Sequence, residues 1–187
     1  MKQEEHYYLG EKLHTEVLEE KYGKIALQIL YDNNEVREVL LNDKLGIART
    51  YALTIRSNAW KNNKEIALVN DVIKTGEPIG RAFKTRGYTI LKYVLAVYPV
   101  ELPGWLRHAF MVKDHFAKTR ITEFLVRKSG KTFQYGYIAE VYSPDFRKPV
   151  INIQDECQVA LALSRQQHAR VDELKKHVSS TLRKLSV

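Results

Sequence analysis

An α+β fold is predicted: a single antiparallel sheet of about six strands with flanking helices, plus a long C-terminal helix. Three observations carry that expectation. Several segments alternate apolar and polar residues, are rich in β-branched and aromatic side chains, and are joined by turns too short for a crossover, so successive strands must run antiparallel. Stretches of helical spacing lie before and between them. After Pro144 the pattern changes, and from about Asp155 to Leu185 there is no glycine or proline.

The elements follow in order. A short helix is expected over Thr15 to Tyr22, capped by Thr15 and ended by Gly23. Lys24 to Tyr31 reads as a strand, Asp32-Asn33-Asn34 as a turn, and Glu35 to Leu41 as the second arm of a hairpin. A third strand is expected over Gly46 to Ile55. Glu65 to Lys74 is helical, with Ile66, Val69 and Ile73 on one side; Gly76-Glu77-Pro78 breaks it, and Ile79 to Lys84 forms a further helical turn. Tyr88 to Tyr98 is a long strand, and Pro99 to His115 is expected to be irregular. Phe116 to Arg127 and Thr132 to Tyr142 pair across the tight turn Lys128-Ser129-Gly130-Lys131. In the last segment Val171, Leu174, Val178, Leu182 and Leu185 form one apolar stripe. The chain therefore divides into a core over residues 1–150 and a helical extension over 151–187. The stripe has two expected occupants, a second subunit in a homodimer or the outer face of the sheet, and the dimer is preferred.

Composition narrows the function. The chain has 187 residues, 44% of them hydrophobic, enough for a real core without staples. Its one cysteine, Cys157, excludes an internal disulfide and a cysteine-built zinc site. The longest apolar stretch, around Val94 to Val100, is too short to cross a bilayer, which needs roughly 20 apolar residues. The start, Met1-Lys2-Gln3-Glu4-Glu5, has no apolar signal core, so a cytoplasmic protein without membrane partners is expected. Lys and Arg outnumber Asp and Glu by 30 to 22, which favours anionic partners. Nucleic acid is not the expected one, because Asp172 and Glu173 dilute the basic residues of the last helix and no basic-aromatic stripe stands out. P-loop, dinucleotide, HExxH and nucleophile-elbow signatures are missing, and the six histidines are scattered, so no metal or cofactor is expected.

Three charges break the strand patterns. Arg37 shares a face with Val39 and Leu41, Arg49 with Ile47, Tyr51 and Leu53, and Glu140 with Ile138 and Tyr142. A charge among apolar neighbours needs a partner. Either Arg37 or Arg49 pairs with Glu140 in a structural salt bridge or the charges lie on an open face, or the arginines await an anionic ligand, a role their planar fork suits. A carboxylate in an apolar site would have a raised pKa and suit acid–base work.

Several segments, taken together in order, resemble a known family. They are Leu13-His14-Thr15-Glu16-Val17-Leu18 with Gly23 to Leu27, Val36-Arg37-Glu38-Val39-Leu40-Leu41, Ala48-Arg49-Thr50, Glu77-Pro78-Ile79-Gly80-Arg81-Ala82-Phe83, and Ile138-Ala139-Glu140-Val141-Tyr142-Ser143-Pro144. Over Leu13 to Pro144 this order is similar to the chorismate lyase (chorismate pyruvate-lyase) superfamily, in its divergent archaeal and bacterial branch. The resemblance implies a cofactor-independent elimination of pyruvate from chorismate to give 4-hydroxybenzoate. It implies that Arg37 holds the ring carboxylate, with backbone N–H groups near His14, Ile79 and Gly80 lining the same anion site. Arg49 would meet the enolpyruvyl carboxylate, and Glu140 would face the 4-hydroxyl, as base or as anchor. His14 stands where a methionine is seen in the best-known members, the Pro99 to His115 segment is longer, and 43 residues follow Pro144. The same fold also serves as an effector-binding domain of transcriptional regulators, so a non-catalytic domain for a small anionic aromatic acid is the alternative.

Overall fold

The computed structural model of the chain describes residues 13–58, 62–146 and 165–184. In chain order the described elements are α1 (His14–Tyr22), β1 (Ala26–Asp32), β2 (Val36–Asn42), β3 (Ala48–Arg56), α2 (Lys64–Lys74), α3 (Ile79–Lys84), β4 (Thr89–Glu101), α4 (Gly104–Phe110), β5 (Phe116–Lys128), β6 (Lys131–Tyr142) and α5 (Arg165–Lys184). The strands form one sheet in the order β1-β2-β3-β6-β5-β4, and every neighbouring pair is antiparallel. Two meanders, β1 to β3 and β4 to β6, thus meet at the central β3–β6 pair. This is the expected α+β architecture.

The sheet buries both faces. On one, Tyr51, Leu53, Ile121 and Val141 pack with Leu106 and Phe110 of α4 and with the α5 stripe. On the other, two smaller clusters stand apart. Leu18 of α1 joins Val39, Leu41, Ala52, Tyr142 and Phe146. Ile66, Val69 and Ile73 of α2 and Phe83 of α3 join Phe124, Val126 and Tyr135. The gap between those two clusters is where the candidate site forms.

Local details position that gap. A register shift at Phe124/Leu125 leaves Tyr135 without a ladder partner and turns it to the α2 side. Beside it, Gly136 has no room for a side chain, because a Cβ there would run into the Ile55 carbonyl of the next strand. A Cβ on Gly80, at the start of α3, would sit 2.5 Å from Leu13 Cδ2, so glycine lets the starts of α3 and α1 approach closely. The ion pairs Arg81–Glu19 (2.9 Å) and Lys84–Glu16 (3.0 Å) join the same two helices.

Three expectations are corrected. Helix α1 begins at His14, so Thr15 lies inside it; Leu13 occupies the cap position, and its N–H donates to Glu16 Oε2 at 2.8 Å. The segment Pro99 to His115 is not irregular. Strand β4 runs to Glu101, with Pro99 opposite Lys118, and a helix follows. Strand β4 is an edge strand, where a missing N–H costs no ladder bond. Pro103 precedes the first residue of α4, where its fixed φ suits helix entry, and Leu106 and Phe110 give the helix its buried face.

The third correction concerns the extension. Val171, Leu174, Val178 and Leu182 are buried by this same chain, in the cluster on the sheet's outer face, and Trp105 Nε1 donates to the Leu182 carbonyl at 3.0 Å. The stripe is therefore covered without a second subunit, and α5 belongs to the main core. Leu185, Cys157 and the expected helical residues before Arg165 lie outside the described residues. Leu174→Ala is expected to cost about 2–5 kcal/mol in denaturant unfolding, as a buried leucine truncation does; a change within error would show that α5 is only loosely attached. Among the described residues no helix is long and apolar enough to cross a membrane.

Candidate functional site

Alternation carries side chains from all six strands into the gap between the two clusters, with Leu27 the contribution of β1. Arg37, Val39 and Leu41 come from β2, Ala52 and Thr54 from β3, Ile138 and Glu140 from β6, Arg120, Thr122 and Phe124 from β5, and Lys92 from β4. Leu13, His14 and Thr15 of the α1 start and Pro78, Ile79 and Gly80 at the α3 start close the opposite wall. The cavity offers about 90 Å³ to the centre of a water-sized sphere, against the about 10–15 Å³ that one water needs, so it admits a small organic molecule. Its lining is mostly apolar, yet it holds three cations, Arg37, Lys92 and Arg120, against one carboxylate, Glu140. The first-turn N–H groups of α1 lack intrahelical acceptors by helix geometry and lie on the same wall.

Arg37 is 1% exposed. Its Nη1 donates to the Glu77 carbonyl at 3.3 Å, which ties it to the loop before α3. Its Nε lies 3.3 Å from Asp32, but Asp32 also takes Arg56 at 2.8 Å, so two guanidiniums share one carboxylate. Nη2 of Arg37 has no hydrogen-bond partner among the described residues, and Nε has only its ion pair with Asp32. Burial pulls the Arg37 pKa below the ordinary arginine value although Asp32 works against it. The cation is held in place with donors to spare.

Behind Arg37 the packing is polar and dense. Arg56 Nε donates to Tyr135 Oη at 3.1 Å, and Tyr135 donates to Asn70 Oδ1 of α2 at 3.0 Å. The relay joins Arg56 of β3, itself paired with Asp32 of β1, through Tyr135 of β6 to helix α2.

Glu140 lines the mostly apolar cavity but is not left without partners there. Arg120, its direct cross-strand neighbour, donates to it, and so does Tyr142 Oη at 2.7 Å. Burial opposes the Arg120 cation, but Glu140 beside it holds the pKa above the ordinary arginine value. Burial, and then Glu140, push the Tyr142 phenol well above its ordinary range, so it remains a neutral donor. The arginine that pairs with Glu140 is thus neither Arg37 nor Arg49.

His14, Ile79 and Gly80 line the cavity with Arg37 and Glu140. The His14 ring packs on the wall, with Nε2 2.8 Å from Thr50 Oγ1 and in edge-to-face contact with Tyr142 and Phe146. Arg49 does not line the cavity. It binds Asp43 through Nε (2.9 Å) and Nη2 (2.7 Å) and lies over the Tyr22 ring at 4.3 Å. The reason is register. Arg37 stands opposite Thr54 and Val39 opposite Ala52, so Tyr51 and Leu53 point to the other face. Arg49 itself falls in the register shift beside Leu41/Asn42, where alternation stops.

Lys92 and Arg120 were not singled out by the sequence. Lys92 is buried, stands across from Phe124, and has its pKa pulled below the ordinary lysine value by burial, with Glu140 opposing and Arg120 adding to the effect. Between its folded and unfolded pKa the unfolded chain binds more protons, so stability rises with pH through that window. Lys92→Met is expected to be at least as stable as the parent at neutral pH and to flatten the alkaline rise in denaturant midpoint. A loss of stability at neutral pH together with an unchanged alkaline rise would contradict this.

No family model matches the chain, and no curated protein matches it.

Proposed function

We propose that the chain is a cofactor-independent lyase of the chorismate lyase type, eliminating pyruvate from chorismate to give 4-hydroxybenzoate. The observation that carries the reading is Arg37, a buried guanidinium with unpartnered donors, in a mostly apolar cavity that also holds Glu140. Their backbones lie two strand spacings of about 4.8 Å apart and are offset by two residues along the strands, which leaves room for one aromatic ring between the side chains. Arg37 takes the ring carboxylate, helped by N–H groups at the starts of α1 and α3. Glu140 meets the 4-hydroxyl. The excess of positive charge around the cavity suits a dianion.

The chemistry needs little beyond orientation and charge stabilisation. The C3–O bond breaks, the C4 proton leaves, its electron pair completes the aromatic ring, and the departing enolpyruvate takes up a proton to become pyruvate. Aromatisation drives the step, and the cations stabilise charge developing on the leaving group. Titration tests the ring-acid assignment. 4-Hydroxybenzoate is expected to bind at least about tenfold more tightly than 4-hydroxybenzamide, which lacks the charge. Equal affinities would contradict the role of Arg37.

One observation favours a second reading. Glu140 already accepts from Arg120 and Tyr142, which suits a hydroxyl anchor better than a free base. A non-catalytic domain binding the same aromatic acids, as in regulator ligand domains, would bind 4-hydroxybenzoate and leave chorismate intact.

A further inference from the structure

We propose that Lys92, Thr122 and Arg120 form a second anion subsite in the cavity, which takes the side-chain carboxylate of a dicarboxylate ring acid in the role that the family resemblance gives to Arg49. The proposal rests on the aromatic-acid reading above. Arg49 is spent on Asp43 and lies outside the cavity. Lys92 and Arg120 are the two cations that line it besides Arg37. Arg120, Thr122 and Phe124 follow one another on one face of β5, and Lys92 stands directly across from Phe124 on β4.

Thr122 lies between the two cations along that strand. It is 3% exposed, and its Oγ1 has no hydrogen-bond partner among the described residues. Arg120 Nε is likewise buried without one. Burial penalises the Lys92 ammonium in spite of Glu140, so a further anion nearby would relieve it. A buried hydroxyl and a buried guanidinium N–H left unsatisfied beside an ammonium suit a carboxylate. With Arg37 on β2 and Lys92 on β4, the two anion sites lie on opposite halves of the sheet. A dicarboxylate spanning them is selected over a monocarboxylate.

The test compares two probes by calorimetry: 3-(carboxymethoxy)benzoate, with two carboxylates, and 3-methoxybenzoate, with one. The parent protein is expected to prefer the diacid by about 10- to 100-fold, the worth of one or two charged hydrogen bonds. Lys92→Met should remove most of that preference while keeping the affinity for 3-methoxybenzoate, which also reports an intact site. Thr122→Val should remove part of it, and Arg49→Met should leave it whole. A preference that survives Lys92→Met, or that disappears in Arg49→Met, would overturn the subsite. Equal binding of both probes by the parent would overturn the subsite alone, whereas binding of neither would remove the aromatic-acid reading with it. Should Lys92→Met fail to fold, Lys92→Gln carries the same comparison.

Discussion

Arg37→Met is expected to lose 4-hydroxybenzoate binding by at least about 100-fold while the protein stays folded. A charged hydrogen bond is worth about 1.5–3 kcal/mol, and a bidentate carboxylate loses two of them. The fold should tolerate the change. Methionine keeps much of the length and volume of the stem, and Asp32 retains Arg56 at 2.8 Å, so no buried carboxylate is stranded. Burial already weighs against the Arg37 cation, and replacing a buried charge by an apolar side chain of similar shape is often neutral or stabilising. Calorimetric titration beside a denaturant curve separates the two outcomes. Unchanged affinity in a folded variant would remove Arg37 from the site. Lost stability with intact binding would make it a structural partner of Asp32.

Glu140→Gln should lower turnover about 10²- to 10⁴-fold if the carboxylate moves a proton. The structure adds a second consequence. Arg120 and Tyr142 both donate to Glu140, so the amide leaves a buried guanidinium without its counter-charge. Breaking a buried pair from one side typically costs about 3–5 kcal/mol. Activity must therefore be read per folded molecule and below the unfolding transition. Full turnover in the folded variant would leave Glu140 only its structural role with Arg120. Reduced stability with turnover down by the expected factor would give it both.

Part of the site was legible in the sequence, for a physical reason. Arg37 and Glu140 interrupt apolar strand faces, and such an interruption is visible whatever the register. Both reach the cavity with His14, Ile79 and Gly80. Arg49 interrupts a face in the same way, but it falls in a register shift and turns to Asp43 and the Tyr22 ring instead of the cavity. Only the pairing of Val39 with Ala52, and the register shift beside Leu41/Asn42, decides that. Arg120 was hidden because Lys118, Thr119, Arg120 and Thr122 put polar residues on both faces of β5, so no alternation marked it. Lys92 was hidden for a different reason. It lies on an edge strand, where a lysine is ordinary protection against edge-to-edge pairing.

The fold shows the same division. The β1–β2, β2–β3 and β5–β6 neighbours follow from turn lengths, and the tail stripe follows from helical spacing. What covers the stripe does not follow, because Tyr51, Leu53 and Phe110 come together only once β3 and β6 pair. Helix α4 was missed because Pro103 and Gly104 read as breakers, although a proline there marks a helix start.

Incubation of the protein with chorismate, with pyruvate and 4-hydroxybenzoate followed over time, is the most direct test. The expected result is release of the two products in equal amounts without added metal or cofactor, suppressed in Arg37→Met. Chorismate recovered unchanged from folded protein that still binds 4-hydroxybenzoate would contradict the lyase and leave a binding domain.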